Sequence, residues 1–189
     1  VGNTMIDTLK SNRSRFIKPK IFTKMKLKGK KYFILTLHRP SNVDNGNSLK
    51  NIISSIVKNS KDLPIIFPVH PRTKKIISNL DIKANNLYLI EPLSYLEFNY
   101  CVSNALCVIT DSGGISEETS VLDIPCITLR ENTERPETVE LGTNELAGVN
   151  IERFHIFFEK LFSGKWKKAK KIPKWDGRAA DRIVKYLLD

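Results

Sequence analysis

At 189 residues, the chain is long enough to bury one hydrophobic core and to form one or two domains. Hydrophobic residues make up 41% of it, which excludes a disordered chain, and no apolar stretch is long enough to span a bilayer, so we expect no membrane partner. The sequence contains no CxxC pair among Cys101, Cys107 and Cys126. That spacing predicts free thiols in a reducing, cytoplasmic compartment.

The formal net charge of +11 is concentrated in two segments. Residues 10–31 hold ten basic side chains and no acid, and residues 165–174 hold six more without an acid. The rest of the chain is mildly acidic, which argues against a nucleic-acid partner. We expect solvated faces: a basic linker at 1–31, and a basic segment with a C-terminal helix at 165–189. A nucleic-acid-binding module stays as a non-enzymatic alternative, which a steep salt dependence of binding would support.

Apolar, strand-like runs alternate with helical patterns along residues 32–164. Strands are predicted at 32–37, 65–69, 86–90, 107–110 and 125–129, with a short sixth near 145–149. Residues 42–46 are predicted to form a turn. Helical spacing follows most strands and is clearest at Leu49, Ile52, Ile53, Ile56 and Val57. This alternation predicts an α/β fold, a Rossmann-like parallel sheet with helices on both faces.

Polar or charged residues follow most of the predicted strands. In open parallel sheets, ligands bind beyond the carboxyl ends of the strands, and these ends all lie at one edge. The segments that reach this edge are His38-Arg39, His70-Pro71-Arg72, Glu91-Pro92, Asp111-Ser112-Gly113-Gly114 and Arg130 through Glu137. Their convergence predicts a ligand site at this edge. No spacing of His, Cys, Asp or Glu indicates a metal site.

The turn Ser112-Gly113-Gly114 joins an apolar strand to a helical pattern. Adjacent glycines allow close approach of the backbone to a ligand, and a helix N-terminus attracts anions. We expect a diphosphate on this turn and ribose hydroxyls on Glu118, one turn further on. The alternative is a plain strand–helix turn in which Glu117 and Glu118 only complement the helix dipole.

Taken together, these motifs resemble the non-hydrolysing UDP-N-acetylglucosamine 2-epimerase family. The resemblance runs in the family's order from Val1 to the last helix, and two of its motifs are quite specific. These two are Asp111-Ser112-Gly113-Gly114-Ile115 with Glu117-Glu118, and Thr133-Glu134-Arg135-Pro136-Glu137. Shorter matches are Thr36-Leu37-His38-Arg39 with Asn42, Pro68-Val69-His70, and Pro92-Leu93 with Tyr95, Leu96 and Phe98.

The resemblance implies the C-terminal, UDP-binding half of a glycosyltransferase-B fold. It assigns the diphosphate to Ser112, Gly113 and Gly114, the ribose to Glu118, and the uracil to a frame of Leu93 and Phe98. It also places the active-site histidine at His38, Arg135 near the phosphates, and a regulatory sugar nucleotide at Arg39 and His70. Two of these residues have structural alternatives. His38 could be a hydrogen-bonded residue at the end of a strand, and Arg135 could be a surface group.

The family reaction eliminates UDP to leave a 2-acetamidoglucal and adds it back with C2 inverted, without a nicotinamide or other cofactor. The resemblance implies that the carboxylates acting at C2 belong to an N-terminal domain outside these residues, and that the full-length protein is a homodimer. We therefore expect this chain to bind UDP or a UDP-sugar weakly and not to epimerise it alone.

The sequence departs from the family pattern at two places. Ser41 stands where the family's His-Arg-x-Glu-Asn motif has glutamate, and Pro71-Arg72 replaces an Asn-Pro pair. Both lie near the positions matched to the regulatory sugar nucleotide, so regulation stays open. Three competing functions also stay open: a hydrolysing 2-epimerase, a UDP-sugar glycosyltransferase of the same fold, and a stand-alone UDP-binding module.

Overall fold

The computed structural model of the protein describes residues 1–43, 45–69, 71–80, 82, 84–148 and 150–188. Within them, six parallel strands form one sheet in the order β3-β2-β1-β4-β5-β6. The strands are β1 (Phe33–Thr36), β2 (Ile65–Pro68), β3 (Leu87–Ile90), β4 (Cys107–Thr110), β5 (Cys126–Thr128) and β6 (Asn144–Leu146). This is the strand order of a Rossmann fold, so the predicted fold class is confirmed.

Helices connect successive strands and cover both faces of the sheet. They are α1 (Thr4–Asn12), α2 (Lys20–Lys24), α3 (Pro40–Val43), α4 (Gly46–Asn59), α5 (Pro71–Ser78), α6 (Tyr95–Asn104), α7 (Gly113–Leu122), α8 (Pro136–Glu140), α9 (Ile151–Phe162) and α10 (Ala179–Leu188). A short 3₁₀ helix at Arg13–Arg15 follows α1. No helix of the described residues is both long and apolar enough to cross a bilayer.

Two apolar clusters, one on each face of the sheet, form the core. Phe33 and Leu35 of β1 belong to one cluster with side chains of α4 and α9, whereas Ile34 belongs to the other with side chains of α1, α6 and α7. Successive side chains of a strand point to opposite faces, and both faces of this sheet are covered. The predicted strands are continuous apolar runs for this reason.

The segment predicted to be a basic linker is folded onto the sheet's helical layer. Ile6 and Leu9 of α1 are fully buried, and Phe22 of α2 is nearly so. Most of its basic side chains are exposed, as expected of a solvated face. The apolar residues between the lysines, rather than the charge run, decide where this segment lies.

Two local features differ from the sequence-based expectation. The predicted turn at 42–46 is largely helical, because Pro40–Val43 forms α3 and α4 already begins at Gly46. The amides of Asn42 and Val43 both donate to the carbonyl of Arg39, which closes this short helix. The sixth strand ends at Leu146, before Gly148, whose φ is +60°.

Candidate functional site

The site lies where β1 and β4 end side by side. β1 is flanked by β2 on one side and β4 on the other, so the strand order reverses between β1 and β4. Thr36 and Thr110 are paired in register, and their Oγ1 atoms lie 2.6 Å apart. Ligands of open α/β sheets bind at this kind of switch point, beyond the carboxyl ends of the strands.

A fully buried carboxylate, that of Asp111, fixes His38 at this point. The imidazole Nδ1 lies 2.7 Å from Asp111 Oδ1, while the His38 side chain is 64% exposed. With its proton on Nδ1, the ring donates to the carboxylate and turns Nε2 away from it. A carboxylate commonly orients histidines that act as acids or bases in this way, and the predicted active-site role of His38 stays a prediction.

The Asp111 carboxylate also binds the chain that follows β1. The amides of His38 and Arg39 donate to Asp111 Oδ2 at 3.1 Å and 2.9 Å. Asn42 Nδ2 donates to the same oxygen at 3.1 Å and to the carbonyl of Leu129 at 3.3 Å. Asp111 thus holds the His38 backbone and ring together, a role that the sequence pattern did not indicate.

The first residues of α7 form the turn that was predicted to bind a diphosphate. Ser112 has an extended backbone, its hydroxyl makes no capping bond, and its amide donates to Thr110 Oγ1 at 3.0 Å. A Cβ atom added to Gly114 would meet no atom within 4 Å, so open space lies beside the turn. The first amides of this ten-residue helix have no partner within the helix, and such amides can bind an anion. Diphosphate binding at this turn stays a prediction.

Arg130 brings a cation to the same turn. A Cβ atom on Gly113 would lie 3.7 Å from Arg130 Nη1. The guanidinium is held by both oxygens of Glu134, at 3.2 Å and 2.6 Å. This bonding lowers the pKa of Glu134. The sequence placed Arg130 at a strand exit but indicated no role for it.

Arg135, which was predicted to lie near the phosphates, is bonded to a buried acid. Its Nε donates to Glu117 Oε1 at 2.5 Å, and about half of the Arg135 side chain is exposed. The pair offsets the Glu117 charge, which would otherwise repel an anion at the start of α7. A phosphate contact by Arg135 stays a prediction.

Glu118, the predicted ribose-binding residue, is only 4% exposed. Tyr95, the first residue of α6, donates its hydroxyl to Glu118 Oε1 at 2.9 Å. Burial raises the pKa of Glu118, and this hydrogen bond offsets part of the rise. The bond joins two helices, and nothing in the sequence pattern indicated it.

Leu93 and Phe98, the predicted uracil frame, flank the start of α6 and pack against the same apolar cluster as Ile115. Arg39 lines a cavity of about 320 Å³ together with Asn42 and Arg130. His70, which was matched to the regulatory position, lies outside the described residues. The structure therefore brings together the first strand exit, the α7 turn and Arg130.

A family model described as UDP-N-acetylglucosamine 2-epimerase matches residues 1–188. The chain belongs to this family. The UDP-N-acetylglucosamine 2-epimerase of Methanocaldococcus jannaschii is 42% identical over 99% of this chain, which covers 53% of that protein. The chain spans about half the length of the curated relatives it matches and corresponds to their C-terminal half.

Solved structures of family members agree with this assignment. The M. jannaschii enzyme superposes with a TM-score of 0.83 at 41% identity, over all of this chain and 55% of that one. The same enzyme solved with UDP-GlcNAc and UDP gives 0.80 at 41% identity, over 98% of this chain and 54% of that one. The Neisseria meningitidis enzyme bound to UDP-GlcNAc superposes with a TM-score of 0.82 at 32% identity, over 99% of this chain and 54% of that one. The resemblance stated from the motifs is confirmed.

Proposed function

We propose that this chain is the nucleotide-binding half of an enzyme that interconverts UDP-GlcNAc and UDP-ManNAc. The observation that carries the proposal is the buried Asp111 carboxylate, which holds His38 beside the open N-terminus of α7. The M. jannaschii and N. meningitidis relatives, solved with UDP-GlcNAc, support the same ligand class. The hydrolysing and glycosyltransferase alternatives receive no support from these relatives.

The bound UDP-sugar would lie across the switch point. Its diphosphate would accept hydrogen bonds from the amides at the start of α7, with Ser112 and Arg130 beside it. Glu118 would accept from the ribose hydroxyls, and Leu93 and Phe98 would border the uracil. This arrangement orients the sugar beyond His38, towards the open edge of the sheet.

In the elimination step, a base removes the proton from C2 while the bond between C1 and the diphosphate oxygen breaks. The products are UDP and 2-acetamidoglucal, and the leaving oxygen gains negative charge. Amides and cations placed beforehand at that oxygen stabilise such charge as it develops. In this protein the α7 N-terminus would supply this stabilisation, and His38 Nε2 would contact the diphosphate or the sugar next to it. In the reverse addition, UDP re-forms its bond to C1 while a proton is delivered to C2 from the opposite face, so that C2 alone is inverted.

We also propose that the groups acting at C2 belong to an N-terminal domain and that the full-length protein is a homodimer in the cytoplasm. The proposal of a reducing compartment is supported by the three cysteines, all of which are buried and free.

Calorimetric titration with UDP and UMP tests the nucleotide site. UDP should bind more tightly than UMP, because its second phosphate reaches the α7 amides. Glu118→Ala should weaken both nucleotides, whereas Glu159→Ala, an exposed acid on α9, should change neither. Equal affinity for UDP and UMP would contradict the diphosphate assignment, and no binding of either at millimolar concentration would contradict the proposed site in this chain.

A further inference from the structure

A polar cluster joins the start of α6 to the second turn of α7. The Glu118 carboxylate is buried in it, and the Tyr95 hydroxyl donates to Oε1 at 2.9 Å. Tyr95 itself is 38% exposed, so its ring reaches from the surface to the acid. The Tyr95 side chain therefore connects the solvent-exposed surface with the carboxylate that is proposed to bind the ribose.

The position of Tyr95 is fixed by its helix. The preceding Ser94 forms a capping box with Glu97, and this restrains the first turn of α6. One turn on, the fully buried Asn99 donates from Nδ2 to the Tyr95 carbonyl at 3.3 Å. Asn99 Oδ1 makes no hydrogen bond to any other residue of the described ranges. The Tyr95 backbone is thus restrained by the preceding capping box and by Asn99, and this restraint limits where its ring can point.

The protonation states fit a fixed donor and a charged acceptor. Burial raises the pKa of the Tyr95 hydroxyl, as does the nearby Glu118, so Tyr95 is a donor at neutral pH. Burial also raises the pKa of Glu118, the hydrogen bond from Tyr95 and the nearby Asn99 side chain lower it, and the neighbouring Glu117 raises it. Arg135 is bonded to Glu117 and not to Glu118. Within the described part of the chain, Tyr95 is the titratable side chain of another helix that bonds to Glu118.

We propose that Tyr95 is a positioning residue: it holds Glu118 so that the free lone pairs of the carboxylate accept the ribose hydroxyls of a bound nucleoside diphosphate. An ionised carboxylate has about four acceptor positions, of which the tyrosine hydroxyl uses one. Without this bond, the buried carboxylate can rotate and is less readily ionised. The inference rests on the proposed UDP site, and it adds a residue that makes the site bind ribonucleotides more tightly than deoxyribonucleotides.

The test compares Tyr95→Phe with Tyr88→Phe, a control on β3 whose ring is similarly exposed at 39%. UDP and 2′-deoxy-UDP are titrated into the wild-type chain and both variants over a range of pH, and the thermal midpoint of each protein is recorded. Tyr95→Phe should weaken UDP roughly tenfold, the value of one hydrogen bond to a charged group, and should affect 2′-deoxy-UDP less.

The pH dependence provides a second measure. Removing the bond should raise the pKa of Glu118, so UDP affinity in Tyr95→Phe should begin to fall at a higher pH as the solution is acidified. Tyr88→Phe should match the wild type in both respects. Equal losses for the two nucleotides with no shift in the pH profile would reduce Tyr95 to a packing role, and tighter UDP binding would mean that its hydroxyl competes with the ribose. Both results overturn the inference while leaving the UDP site intact, whereas failure of the wild type to bind UDP overturns the proposed function itself.

Discussion

Single side chains at the edge of the sheet define the chemistry of the site. Asp111 accepts hydrogen bonds from the ring and amide of His38, from the amide of Arg39 and from Asn42. These donors satisfy the oxygens of a carboxylate that is buried away from water. Its geometry therefore depends on the chain beyond β1, and the orientation of His38 depends on it in turn.

Asp111→Asn should change the tautomer of His38 and lower stability. An amide cannot accept from all four donors, so we expect a loss of about 1–3 kcal/mol in the free energy of unfolding. Nitrogen NMR of labelled histidine should show Nδ1 protonated in the wild-type neutral ring and a shift towards the Nε2–H form in the variant. His155, which is remote from Asp111, is the internal control. An unchanged His38 tautomer would contradict the proposed role of Asp111.

At this scale the sequence pattern identified the residues that follow strands but not the bonds between them. His38, the Ser112 turn and Glu118 were predicted because each has a local signature at the end of a strand or the start of a helix. The bonds from His38 to Asp111 and from Tyr95 to Glu118 connect residues 73 and 23 positions apart. No periodicity encodes such contacts, since the register of the sheet and the packing of α6 on α7 create them.

Among the elements, the start of α7 carries most of the proposed binding. Its two glycines differ: a Cβ on Gly113 would touch Arg130 and Glu134, whereas one on Gly114 would extend into open space. Neither glycine adopts a positive φ. The absence of a side chain at Gly114 is therefore unexplained by strain or packing within the described residues, but it leaves room for a ligand.

Gly114→Ala should separate stability from binding. Alanine is favoured over glycine in a helix by about 0.5–1 kcal/mol, so the denaturant midpoint should stay the same or rise. UDP affinity should fall roughly tenfold, because the new methyl group displaces the diphosphate from the α7 amides. The control is Gly29→Ala, an exposed position where an added Cβ atom would come no closer than 3.8 Å to Asn104 Oδ1. Unchanged UDP affinity in Gly114→Ala would place the diphosphate elsewhere.

The sequence predicts helices and strands where the apolar periodicity is strong. It misses those whose position depends on tertiary contacts. The six strands follow from their apolar runs, and α4 follows from the helical spacing of Leu49, Ile52 and Ile53. The helix α3 did not, because the bonds of Asp111 and Leu129 to Asn42 hold it in place. Likewise, α1 lies within a segment whose charge suggested a solvated linker, yet Ile6 and Leu9 are buried.

At the scale of the whole molecule, the acids around the α7 turn are already bonded. Asp111 is held by His38, Glu117 by Arg135, Glu118 by Tyr95 and Glu134 by Arg130. A carboxylate that removes a proton from C2 must reach the sugar and change its protonation state during turnover. These bonded acids are poorly suited to that role, which supports a base from the N-terminal half of the full-length protein.

The 189-residue chain alone should therefore bind UDP-GlcNAc without converting it. Incubation followed by chromatographic separation of the two epimers should show no UDP-ManNAc, and fusion to the N-terminal half of the M. jannaschii relative should restore turnover. In that fusion, His38→Ala should lower kcat by about 10²–10⁴, as expected for a residue acting on the proton or the leaving group, whereas His155→Ala should leave kcat unchanged. Turnover by the isolated chain would show that an acid bonded in this structure is released during the reaction.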